Sequence, residues 1–192
     1  MSKDNRFEAF PGAEFLRYDE VLDFRQSLNA ETDRGCALMA AAYLDAELEK
    51  LLRKYLVDND SVQNEILRQS GPLGPFSTRI DMAYLLGLIG PKARRDLHLI
   101  RKIRNQFGHR ATPLDFDEAA LASRCSKLYH DVFENTVSPR RKFIRAALGV
   151  LGIIHANLHS IEPLKEDADV SLDNAKVNLK KLLNKLELND DA

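Results

Sequence analysis

Apolar residues along this chain recur at three- and four-residue steps over long stretches and nowhere alternate long enough to define a strand. The pattern predicts an all-α protein: a single-domain multi-helix bundle with an additional C-terminal amphipathic helix. A first helix is expected from Glu14 to about Asn29, with Phe15, Tyr18, Leu22 and Arg25 tracing a stripe after Pro11-Gly12. Thr32 opens a long second helix whose Ala37, Ala41, Leu44, Leu48, Leu51 and Tyr55 share a face, and the charge-free run from Gly35 to Leu44 implies burial on several sides. Asp58-Asn59-Asp60-Ser61 ends it and caps a short helix to about Leu67, after which Gly71-Pro72-Leu73-Gly74-Pro75 forms a rigid loop. Phe76 to Ile89 makes a nearly all-apolar helix in which Arg79 and Asp81 are the only charges. Gly90-Pro91 stops that helix and starts the next, while Gly87 reads as a close-packing position.

The following helix spans about Lys92 to Phe107, with Gly108 suited to end it. Asp115 or Asp117 can cap a helix from about Glu118 to His130. From Pro139 onward, Phe143, Ala147, Val150, Ile154, Leu158 and Ile161 line one side, and Ile144, Leu148, Leu151 and Ile153 widen the arc, as expected of a central helix. Pro163 and the acids Glu166, Asp167 and Asp169 then separate a bundle domain, residues 1–162, from a linker and terminal helix, residues 163–192. Leu172, Ala175, Leu179, Leu182, Leu183 and Leu186 give that last helix one apolar face, for the parent bundle, which is the commoner outcome, or for a partner helix.

Composition narrows the function classes. With 192 residues, 44% hydrophobic and 30% charged, the chain can build one substantial core, and a net charge of -1 argues against a surface that grips nucleic acid all round. The charge is uneven: Lys92–Arg110 holds seven Lys or Arg against the single acid Asp96, a segment able to present a positive stripe. No run is long and apolar enough for a membrane span, and the N-terminus lacks a signal-peptide layout, so a cytoplasmic protein is expected. Cys36 and Cys125 match neither a metal motif nor a disulfide framework and read as small buried hydrophobes. His98 and His109 stand apart from acids and thiols, and His155 and His159 have helical metal spacing without the intervening Glu of a zinc protease. No metal or cofactor is expected.

Arg104 is the anomaly. At about 100° per residue it falls within the apolar arc of Ala93, Leu97, Ile100, Ile103 and Phe107. A guanidinium there needs a carboxylate, a bound anion or a subunit boundary beside it. Asp45 and Asp81, each an acid in a mostly apolar helix, are the candidate ion-pair partners. The sharper reading is chemical: Arg104 and His109 could address a phosphodiester, with Asn105 orienting it and Arg101 adding a charge one turn earlier. Arg94, Arg95 and Lys102 complete the candidate binding set. Arg140-Arg141-Lys142 is a second oddity, because cations in the first turn of a helix oppose its dipole and call for acids from the terminal segments or a phosphate-bearing partner. No phosphate loop, nucleophilic triad or helix-turn-helix stands out.

The stretch from Phe76 through Ile89, with Arg79-Ile80-Asp81, and that from Asp96 through His109, with Arg101-Lys102-Ile103-Arg104-Asn105-Gln106-Phe107-Gly108-His109, closely resemble the mannitol operon repressor family of bacteria. Asp33-Arg34, Leu44-Asp45-Ala46-Glu47-Leu48 and Thr112-Pro113-Leu114-Asp115-Phe116-Asp117 extend the likeness over most of residues 25–160. The resemblance implies an all-helical transcriptional repressor of mannitol uptake and utilisation genes without a standard DNA-binding domain. It would work as a homodimer through a DNA-bound regulator or a sugar phosphotransferase component, or touch DNA through the Lys92–Arg110 stripe. Arg104-Asn105-x-x-x-His109 also resembles the signature of the HEPN superfamily, which implies an alternative: a metal-independent RNA endonuclease with Arg104 and His109 as its catalytic pair. A non-catalytic interaction module is the third reading.

Overall fold

The computed structural model describes residues 18–131, 137–168 and 171–190, and within them the chain forms eight helices and no strand. They are α1 (Tyr18–Ala30), α2 (Asp33–Tyr55), α3 (Asp60–Leu67), α4 (Phe76–Leu85), α5 (Pro91–His109), α6 (Ala119–Cys125), α7 (Pro139–Ser160) and α8 (Leu172–Asp190). Two starts follow directly from local chemistry. Thr32 accepts the Gly35 amide at 3.0 Å and Asn59 accepts the Val62 amide at 3.1 Å, each satisfying a donor that a helix's first turn leaves open. The Glu14–Arg17 part of the expected first helix lies outside the described residues.

Three helix ends differ from expectation, two of them for a definable reason. α4 stops at Leu85 rather than Ile89 because Gly87 takes φ +75°; the Gly87 amide then bonds the Tyr84 carbonyl at 3.0 Å and the Leu88 amide the Ala83 carbonyl at 2.8 Å. That is a Schellman termination, and Gly87 is there for its backbone, since a Cβ would meet nothing within 4 Å. Conversely, α5 runs through Gly108 to His109. α6 ends at Cys125, short of His130, because the fully buried Asp96 carboxylate of α5 takes the amides of Tyr129 (2.9 Å) and His130 (2.8 Å) and the His130 Nδ1 proton (2.9 Å). Asp115 accepts the Asp117 and Glu118 amides, both at 3.1 Å, and so shapes the turn before α6, whose N-cap residue is Glu118.

α2 packs against α1, α4, α5 and α7, and α7 in turn against α1, α2, α5 and α6, so the two long apolar helices share the centre. Phe107, Phe116 and Phe143 interlock there with ring centroids 5.0 Å apart at each step. The buried Cys36 and Cys125 belong to this core, where burial pushes both thiols up to about 12. The segments Asp33-Arg34 and Thr112 to Asp117, far apart in sequence, hold one another. Arg34 donates to the carbonyls of Arg110 (2.6 Å) and Thr112 (3.2 Å), and Asp33 accepts the Phe116 amide at 2.9 Å. Arg140 closes the same junction by pairing with Asp33 at 2.5 Å and donating to the Leu28 and Glu31 carbonyls around the end of α1. The cation at the start of α7 is therefore offset by an acid and by the negative end of another helix.

After α7 the Leu164 amide bonds the Tyr55 carbonyl at 2.7 Å, and residues 165–168 that follow are exposed. Every described side chain of α8 from Leu172 to Leu186 is exposed, so this helix does not take the commoner course of packing on its parent bundle. No helix among the described residues is long and apolar enough to cross a membrane.

Candidate functional site

α5 carries most of the candidate residues. Its core face, Ala93, Leu97, Ile100, Ile103 and Phe107, is buried, which leaves two flanks for the polar positions. Arg94, Arg101, Arg104 and Asn105 lie on the flank toward α2 and α4, whereas Arg95 and Lys102 sit roughly 100–120° further round from Arg101. Several cations of the basic segment are engaged. Lys92 donates to the Tyr129 hydroxyl and lies 3.8 Å from that ring's centre, Arg94 pairs with Asp81 at 2.7 Å, and Arg95 donates to the Lys127 carbonyl at 2.9 Å.

The two candidate acids are both ion-paired, each to a residue other than Arg104. Asp45 binds Arg79 at 2.8 Å. Burial raises the Asp45 carboxyl, opposed by the Arg79 hydrogen bond and by the charges of Arg79 and Arg104. Asp81 binds His98 at 3.0 Å and Arg94, and hydrogen bonds from His98 and Arg94 hold its carboxyl below the usual range. His98 is thus not isolated from acids, although the described residues contain no group of three that could hold a metal.

Arg79 is the arginine that sequence reasoning passed over. It is buried and fully occupied, donating to the carbonyls of Leu73 (2.9 Å) and Leu67 (2.7 Å) and pairing with Asp45 and Glu49 (2.7 Å). The guanidinium fork therefore ties the Gly71–Pro75 loop to α2 and α4. The available signal was its place, with Asp81, as one of only two charges in an apolar helix.

Arg104 itself is half-buried beside Asp45, and the Asp45 carboxyl is the group on which its charge acts. Arg101 is half-buried with its Nε enclosed and without a hydrogen-bond partner. His109 is exposed at the end of the helix. Five positions along an α-helix turn about 140° beyond one full revolution, so Arg104 and His109 point to different sides of α5 within one chain.

One polar cluster lay outside the sequence-based set. Buried Glu47 of α2 accepts from His155 of α7 at 3.2 Å and from Lys50 at 2.6 Å. Burial would raise the Glu47 carboxyl, but the hydrogen bonds from His155 and Lys50 outweigh it and hold it low. The pair locks the two central helices together.

With this geometry in place, comparison with known proteins is informative. The model of the mannitol repressor family, MtlR, matches residues 19–145, more than half of the chain, from α1 into the first turns of α7. Among solved structures, a chain of the MtlR–HPr complex from Escherichia coli is similar, with a TM-score of 0.53 and 18% identity over 73% of this chain and 96% of that one. At that identity the likeness is one of fold. No curated protein matches in sequence. The segments brought together around Asp33, Phe116, Asp45 and Arg104 all fall inside the matched region, and α8 falls outside it. This chain belongs to the mannitol repressor family.

Proposed function

We propose that this protein is a cytoplasmic repressor of mannitol uptake and utilisation genes that acts by binding another protein, a component of the sugar phosphotransferase system, rather than by reading DNA itself. The family match carries this reading. The solved chain of similar fold stands in a complex with HPr, which supports a phosphotransferase partner of that kind here. The state of the basic segment supports it too. Lys92, Arg94 and Arg95 are engaged with Tyr129, Asp81 and the Lys127 carbonyl, so the stripe is not a free row of cations for phosphate backbone.

The working unit in this reading is a homodimer joined through α8. Leu172, Ala175, Leu179, Leu182 and Leu186 repeat at alternating steps of three and four, the spacing of a coiled-coil seam, and all five are exposed. The deciding experiment combines titration of the full-length protein with purified HPr and gel-shift of a mannitol promoter fragment at low and moderate salt. Saturable HPr binding with no sequence-selective shift by the protein alone is expected. A selective shift that survives moderate salt, without HPr binding, would replace this reading with direct repression.

A further inference from the structure

Two half-buried arginines on α5, Arg101 and Arg104, have no hydrogen-bonded carboxylate, whereas Arg94 on the same flank pairs with Asp81. The carboxylates of this face are committed elsewhere among the described residues. Asp45 binds Arg79 at 2.8 Å; Glu49 binds Arg79 at 2.7 Å and Arg53 at 2.9 Å; Asp81 binds Arg94 at 2.7 Å and His98 at 3.0 Å. Among the described residues these carboxylates are thus hydrogen-bonded to Arg53, Arg79, Arg94 and His98, and the charge of Arg104 acts on Asp45 without a bond to it. Arg104 lies half-buried beside the apolar face, and the Nε of Arg101 is enclosed with no acceptor, a costly position for a donor without a partner.

Residues three apart on a helix have Cβ atoms about 5–6 Å from one another, so the two guanidiniums can reach a single small group. Asn105, also half-buried and adjacent to Arg104, places an amide on the same flank. We propose that Arg101 and Arg104, with Asn105, form a binding site for a phosphate monoester. Two planar forks, neither hydrogen-bonded to a carboxylate, match a dianion with three terminal oxygens, whereas one carboxylate offers a single charge and two oxygens. The group can arrive on a free small molecule or on a phosphorylated protein. The site is independent of the repressor reading above, because it follows from the charge arrangement alone.

The test is thermal melting of the full-length protein against inorganic phosphate, glycerol phosphate and acetate at constant ionic strength, with Arg101→Gln, Arg104→Gln and the exposed control Lys102→Gln. A ligand that binds only the folded state raises the melting temperature in a saturable way. Both phosphates are expected to raise it in the parent and in Lys102→Gln, with apparent affinity at least tenfold weaker in either arginine variant. Without phosphate Arg101→Gln should melt no lower than the parent, because it loses a cation whose Nε has no acceptor, so its weakened response cannot be put down to misfolding. With a phosphoserine peptide as a further ligand, tighter binding of glycerol phosphate assigns the site to a small ester and tighter binding of the peptide assigns it to a phosphorylated protein. No saturable rise in the parent, an equal rise in all four proteins, or an equal rise with acetate would overturn the proposal.

Discussion

α7 and α8 are amphipathic helices of 22 and 19 residues, yet one lies in the centre of the bundle and the other presents its leucines to solvent. The width of the apolar arc separates them. The buried residues of α7 from Phe143 to Ile154 cover roughly 160° of its circumference, enough to face several neighbours, while the leucine seam of α8 covers only roughly 100°. α7 is also stitched into place by polar contacts: His155 to Glu47, and the Asn157 side chain to the Leu88 carbonyl at 2.7 Å. Periodicity alone reveals that a helix has an apolar face; arc width and polar anchoring indicate how many surfaces that face must satisfy.

The comparison breaks most sharply at Phe143, which is fully buried against Phe116. Phe143→Ala should cost about 3–5 kcal/mol in urea unfolding, since the contact is lost and a cavity remains. Gly149→Ala is the next test. Its Cβ would stand 2.6 Å from the His130 carbonyl oxygen, a backbone atom that Asp96 holds in place through the His130 amide. The loop or α7 must shift, for about 1–3 kcal/mol, and a melting curve unchanged from the parent would show that the contact is not tight in solution.

Glu47 sharpens the same comparison through pH. Its carboxyl is held below its ordinary value of 4.5 in the folded chain, so the contribution is complete above that value and is lost as pH falls through the lower folded value. The melting temperature of the parent should therefore fall as pH drops below about 5, and that of Glu47→Gln should fall less steeply. At pH 7 the substitution should lower stability by about 1–3 kcal/mol, the cost of weakening hydrogen bonds to a buried acceptor. Parallel pH profiles would indicate that other carboxylates, Asp81 among them, dominate the acid response.

Much of the bundle was legible because its signals are local. The caps at Thr32 and Asn59, the Pro139 start of α7 and the three- and four-residue spacing of α2, α5 and α7 are set by near neighbours in sequence. Partnership between distant charges was not legible. Asp45 and Asp81 read as candidate partners of Arg104, but Arg79 and Arg94 hold those acids, because the helix crossings bring them nearer. Asp96 stands in the sequence only as the single acid of a basic segment, and the fold shows that its carboxylate ends α6 by capturing the Tyr129 and His130 amides. Gly87 read as a packing position, whereas its left-handed backbone ends α4 two residues earlier in the chain.

The smallest expected effect on stability carries the clearest information about α8. Leu182→Ala should change unfolding of the bundle by no more than about 0.5 kcal/mol, since a 58% exposed side chain supports nothing in its own protomer. Leu179→Glu combined with Leu186→Glu should leave the bundle's melting equally untouched but convert a dimer to a monomer in light scattering at tens of micromolar protein, because buried carboxylates would then face each other across the seam. If the double variant instead lowers the melting temperature of the bundle, α8 docks on its own chain in solution. If the parent is already monomeric, the seam serves a partner other than a second copy, and the terminal helix becomes the first place to look for that partner's contact.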